Sequence, residues 1–116
     1  MTPEGIRRYC LNKPGSWEDF PFGEDPLVVK VGSKLFALIN SDTPPHISLK
    51  CDPVRATDLR GQYAGINPGY HLDKRHWITI SCDDTVPDDL LRELIDHSYT
   101  LVFNSLTRSE KEDVMG

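Results

Sequence analysis

The sequence predicts an α+β domain, a mainly antiparallel sheet with helices packed on it, in the approximate order α-β-β-β-α-β-α. Three observations lead there. In PLVVKVGSKLFALIN, two runs rich in β-branched and apolar residues flank Gly32-Ser33, the pattern of a hairpin with a type II′ turn. A third run, HISLKC, follows after the short, stiff connection SDTPP, too close for the crossovers that a parallel sheet requires. VPDDLLRELIDHSYTLVFNSL repeats Leu91, Leu94, Ile95, Ser98, Leu101 and Val102 at helical spacing, which gives one long helix a broad face to bury on that sheet.

Each element has a local cause. Thr2 can cap the first helix and Pro3 fits its first position, while Ile6, Tyr9 and Cys10 make its apolar stripe and Pro14-Gly15 ends it. SWEDFPFGED mixes aromatics with acids and reads as a loop. Alternation places Leu27, Val29 and Val31 on one face of the first hairpin strand and Leu35, Ala37 and Ile39 on one face of the second, with Val28, Phe36 and Leu38 opposite. Ile47, Leu49 and Cys51 point inward from the third strand. Asp52 as cap and Pro53 as first residue then start a short helix, PVRATDLRGQY, with Val54 and Leu59 buried. GINPGYHLDK is a punctuated loop with room for a further short strand between Tyr63 and His71, and HWITISC alternates as a long strand. In the last helix Thr85 or Asp84 can cap the approach and Pro87 suits the first turn. TRSEKEDVMG shows no comparable stripe, so one domain over 1–108 is expected, followed by a flexible tail over 109–116.

A chain of 116 residues with 38% hydrophobic and 27% charged residues is the size and composition of one ordinary domain. Thirteen Lys and Arg against eighteen Asp and Glu give a formal charge of -5, which argues against a uniformly basic nucleic-acid binder. The total conceals an asymmetry. Residues 83–116 hold most of the acidity, whereas 50–82 carry Lys50, Arg55, Arg60, Lys74 and Arg75 against Asp52, Asp58 and Asp73. No apolar run is long enough to cross a membrane and the first ten residues lack a signal-peptide core, so a cytoplasmic protein is expected, with no membrane partner. Cys10, Cys51 and Cys82 are widely spaced and read as free thiols.

Motifs for chemistry are missing: no HExxH, no Gly-rich phosphate loop and no GxSxG occur. His71, His76 and Asp73 lack a recognised metal spacing, His97 reads as a helical charge pair with Glu93, and Cys82 beside Asp83 and Asp84 is poorly placed to form a thiolate. The expectation is therefore a nonenzymatic domain with no metal or cofactor. HLDKRHW is the richest stretch. It joins His71, Lys74, Arg75, His76 and Trp77, and with Lys50, Arg55 and Arg60 these form a candidate nucleic-acid-binding set, since cations hold phosphates and an aromatic face stacks on bases.

NKPG at Asn12 to Gly15, the block around VKVGSKLFALI and ISLKC, NPGYHLDKRHWITI, and ELIDHSYTLV with Asp96, Ser98 and Tyr99 together resemble the MmcQ/YjbR family of small bacterial proteins over residues 3–108. The resemblance implies an α+β fold related in shape to type III secretion chaperones and frataxin-like domains and described as a double-wing DNA-binding fold. It implies a DNA-binding or transcription-associated role, carried by His71, Leu72, Lys74, His76 and Trp77 with Lys50, Tyr99 and the Pro14-Gly15 loop. Asp73 stands where some relatives have Asn, which puts a negative charge beside Lys74. The other expectation is a protein-interaction or chaperone-like homodimer without nucleic acid.

Overall fold

A computed structural model describes all of residues 1–116. In chain order the elements are α1 (Pro3–Leu11), β1 (Ser16–Asp19), β2 (Leu27–Val31), β3 (Lys34–Asn40), β4 (His46–Lys50), α2 (Pro53–Gln62), β5 (Ile66–Pro68), β6 (Trp77–Ser81), α3 (Asp88–Asn104) and α4 (Arg108–Met115). The six strands form one antiparallel sheet in the order β1-β2-β3-β4-β6-β5. No helix is long and apolar enough to cross a membrane.

A single core unites one face of the sheet with the helices. Val29, Val31, Ile39, Ile47, Leu49, Ile78 and Ile80 meet Ile6 and Cys10 of α1, Ala56 and Leu59 of α2, and Leu91, Leu94, Ile95 and Val102 of α3. Each large aliphatic side chain buried there contributes about 1.5–3 kcal/mol relative to exposure. The caps expected at Thr2 and Asp52 form, accepting hydrogen bonds from the Gly5 and Arg55 amides. Gly32 turns the β2–β3 hairpin at φ 59°, and Ser33 stays at negative φ, as a type II′ turn requires.

Five local readings are corrected by tertiary contacts. Ser16–Asp19 is an edge strand, not a loop: it pairs with β2, and Trp17 donates its indole N–H to the Gly32 carbonyl at 3.0 Å. Phe36 does not sit opposite Ala37, because Val29 lies opposite Ala37 while Lys30 lies opposite Leu35. Phe36 is thus the extra residue of a bulge, and the bulge lets Phe36 and Ala37 both join the core. Val54 is 73% exposed, since Ala56 and Leu59 define the buried side of α2 and Val54 lies off it. Pro87 is the residue before α3, with no side-chain cap. The segment 108–115 is a helix, because Thr107 accepts from the Glu110 amide, Glu110 accepts from the Ser33 hydroxyl at 2.8 Å, and Val114 packs on the core.

Ser98 ties α3 to the bulge. Its buried hydroxyl donates to the Phe36 carbonyl at 2.6 Å and accepts from the Lys50 amide at 2.9 Å. The β3–β4 ladder runs from Asn40 opposite His46 to Ala37 opposite Leu49, so Phe36 and Lys50 are the groups that would meet next. The serine stands between them. Ser98→Ala removes a partner from both, and its unfolding free energy in urea should fall by about 2–3 kcal/mol with an unchanged slope. A loss below measurement error would show that the two backbone groups close on each other instead.

Candidate functional site

With every helix on one face, the other face of the sheet is left to side chains and loops. Its edges differ in chemistry. At the end where β4 finishes and β6 begins, Lys50 lies directly opposite Trp77. The 69–76 loop is fastened to the sheet there: Gly69 donates to the Trp77 carbonyl at 2.9 Å, and the Tyr70 amide donates to the Thr79 hydroxyl at 2.9 Å. Gly69 is required by space, since a Cβ would lie 2.7 Å from that of Trp77. Arg60 reaches from α2 toward the Lys74 carbonyl at 3.5 Å, so Arg60, Lys74 and Arg75 lie at the corner of the molecule where Lys50 and Trp77 pair.

The eight sequence candidates are not one surface. Arg55 leaves the group, because its guanidinium pairs with Glu93 of α3. His71 leaves it in the other direction, into a cleft on the open face. Lys74 is tethered to the Gly69 carbonyl at 3.0 Å, and His76 Nδ1 lies 2.9 Å from Asp73. His76 holds the Asp73 carboxyl below its usual range, with the Arg75 amide adding to the effect. Lys50, Arg60, Lys74 and Arg75 have no carboxylate partner within ion-pair distance.

The cleft has a volume of about 520 Å³. Leu38, Asn40 and Ser48 of the central strands form its floor, and Phe22, Pro26, Tyr70, His71 and Leu72 come from the loops on either side. Ser48 shares a buried 2.8 Å hydrogen bond with Thr79. His71 sits at φ 59°, a left-handed backbone that a non-glycine residue adopts at a cost, with its ring 4.0 Å from that of Tyr70. A second compartment of about 360 Å³ shares Asn40 and Tyr70 and adds Asp42, His46, Asn67 and Thr79. Sequence reading missed Phe22, Asn40 and Ser48, which lie far apart in the chain and form no motif; period-2 alternation in β3 and β4 was the one available signal, because it assigns Leu38, Asn40 and Ser48 to the face away from the helices.

Other reactive groups are occupied. Burial pushes the Cys10 thiol up to about 12 and the Cys82 thiol to about 11, and it raises Cys51 as well, so none is poised as a thiolate. Cys10, Cys51 and Cys82 are free thiols. No group of three or more His, Cys, Asp or Glu side chains is arranged to hold a metal. His97 does not pair with Glu93; Glu93 takes Arg55, and His97 Nε2 accepts the Asp52 amide at 3.2 Å.

A helix-backed antiparallel sheet with a loop-walled cleft on its other face defines the class, a small α+β domain. The family model for YjbR matches residues 11–101, and the chain belongs to the YjbR family. It is similar to the uncharacterized protein YbdF of Escherichia coli O157:H7, 35% identical over 112 residues that cover 96% of this chain and 92% of that protein. Similarity to the uncharacterized protein YjbR of Escherichia coli K12 is 33% over 113 residues, covering 97% and 96%. The crystal structure of Deinococcus radiodurans protein DR2400, a DUF419 domain, has a TM-score of 0.91 at 40% identity, covering 98% of this chain and 88% of that one. A Pseudomonas syringae crystal structure has a TM-score of 0.77 at 26% identity, covering 88% and 99%.

The His97 contact has a pH signature. Burial, then the nearby Arg55 charge, lowers its pKa from 6.5, so below that value the unfolded chain binds a proton that the folded chain resists. Stability should therefore fall as pH drops through 6.5, and His97→Gln, which keeps an acceptor for the Asp52 amide, should flatten that fall in urea midpoints. An identical slope in the variant would remove His97 as the cause.

Proposed function

We propose that the protein is a nonenzymatic DNA-binding domain, weak and salt-dependent, with a transcription-associated role in the cytoplasm. The observation that carries this is the corner at which Arg60 meets the 73–75 loop, with Lys50 and Trp77 facing each other across β4 and β6. Cations without carboxylate partners can displace counterions from phosphates, and an indole beside them offers a stacking face that tolerates any base. The reading is local by necessity. Residues 83–116 carry nine acids against three bases, so a duplex must approach from the β4–β6 end, away from α3 and α4. Asp73 limits affinity, since its carboxylate lies within the cationic loop and pairs with His76.

A second reading, a protein-interaction or chaperone-like homodimer, draws on the exposed aromatics Trp17, Phe20 and Phe22 beside the β1 edge. Light scattering at micromolar concentration separates the two, because a stable dimer without DNA affinity would favour this one.

Fluorescence anisotropy at low salt should find micromolar binding of a labelled duplex, with a log–log salt dependence of about -3 for three phosphate contacts. Arg75→Glu should weaken binding strongly and lower that slope, whereas Asp73→Asn should tighten binding several-fold. Combined Lys74→Ala, Arg75→Ala and Trp77→Ala should abolish it. Equal absence of binding in wild type and the triple variant would overturn the proposal.

A further inference from the structure

The cleft on the open face lies apart from the basic corner and differs from it in chemistry. No carboxylate, lysine or arginine lines it, so no group there pairs with a permanently charged ligand. Aromatic rings stand on both sides, Phe22 from one loop and Tyr70 with His71 from the other, over an aliphatic floor at Leu38. Phe22 and Tyr70 are 64% and 65% exposed, an unusual state for large rings that have an apolar floor within reach. On the floor the Asn40 carboxamide can both donate and accept, while the Ser48 hydroxyl is held by Thr79. Aromatic walls with one hydrogen-bonding edge suit a flat, neutral heteroaromatic ring.

The second compartment extends this. It shares Asn40 and Tyr70 with the first and carries Asp42, His46 and Asn67, groups that bind hydroxyls well, beside Thr79, whose hydroxyl is engaged with Ser48 and the Tyr70 amide. Asp42 repels a phosphate at the same place. We infer that the two compartments form one site for a nucleoside, with the base between Phe22 and Tyr70 against Asn40, and the sugar hydroxyls toward Asp42 and His46. The left-handed His71 fits this assignment: the loop spends backbone strain to hold the Tyr70–His71 ring pair at the rim of the cleft. Lys74, tethered to Gly69, and the Tyr70 amide, fastened to Thr79, keep that loop in place before any ligand arrives.

The test is a ¹⁵N–¹H NMR titration of the full chain with adenosine, cytidine and thymidine, each up to about 5 mM, with the corresponding 5′-monophosphates, a thymidine oligomer and a tyrosine-containing tripeptide as further arms. At least one nucleoside should produce saturable shifts at Leu38, Asn40, Ser48 and Leu72, and its monophosphate should bind several-fold more weakly. Tyr70→Ala, at an exposed position that leaves folding intact, should cost about tenfold in affinity, the value of one lost stacking contact. Asp42→Asn should narrow the gap between nucleoside and monophosphate, while Arg75→Glu should leave nucleoside binding unchanged even though it impairs duplex binding. Failure at the basic corner and failure at the cleft are thereby read separately. Absence of shifts with every nucleoside, shifts that appear only with the oligomer or only with the tripeptide, or Tyr70→Ala binding as tightly as wild type would overturn the assignment.

Discussion

The Ser98 hydroxyl occupies a place where a regular ladder would join two backbone groups directly. It takes the Lys50 N–H and gives its own proton to the Phe36 carbonyl, and both contacts are shielded beneath α3. A hydroxyl is the smallest side-chain group that can do both at once. Because it does, β3 can bulge at Phe36 without orphaning a buried carbonyl, and the phenylalanine turns into the core against the edge of the Tyr99 ring at 5.3 Å. The seat of the long helix at the β3–β4 junction follows from that arrangement. Leu94, Ile95 and Val102 bring α3 to the sheet; Ser98 sets its register.

The other residues that mark the family in this chain also serve this layer. Asp96 accepts from the Tyr9 hydroxyl at 2.8 Å and pairs with Lys13, and Tyr99 donates to the Pro14 carbonyl at 2.6 Å. One turn of α3 therefore holds α1, the loop after it and the β3–β4 junction. Asp96, Ser98, Tyr99 and the Pro14-Gly15 loop make these contacts on the helix-covered side of the sheet, away from the cleft on its open face. A shared sequence pattern in this region transmits a shape, and a shape does not by itself carry an activity.

On the open face, two chemistries lie within one loop's reach of each other. The 69–76 loop contributes Tyr70 and His71 to the neutral cleft and Lys74 and Arg75 to the basic corner, and it hangs from β6 through the Gly69 and Tyr70 amides. The Gly69 carbonyl fixes the position of the Lys74 ammonium, and the Asp73 carboxylate that pairs with His76 offsets part of the positive charge that the stretch displays in sequence. What is left is a small cationic corner beside an uncharged groove. Residues 83–116, with nine acids against three bases, make the α3 and α4 side of the molecule negative.

Period-2 and period-3.6 patterns were enough to place most elements, because burying one face of each element is a local demand on sequence: the Gly32 hairpin, the caps at Thr2 and Asp52, the inward Ile47 and Leu49, and the long α3 were all legible. Ser16–Asp19 and 108–115 were not, since an edge strand and a polar helix are held by partners such as Gly32 and Ser33 that lie distant in the chain. The bulge at Phe36 was equally hidden; alternation cannot announce its own interruption. For the site, sequence identified the loop and its residue types, including His71 and Trp77, while tertiary structure decided their company. Arg55 went to Glu93, His71 to the cleft, and Asn40 and Ser48, silent as motifs, became its floor. Charge and residue type are properties of the chain, but which charges are spent on each other, and which neutral groups share a cavity, depends on distances that only packing creates.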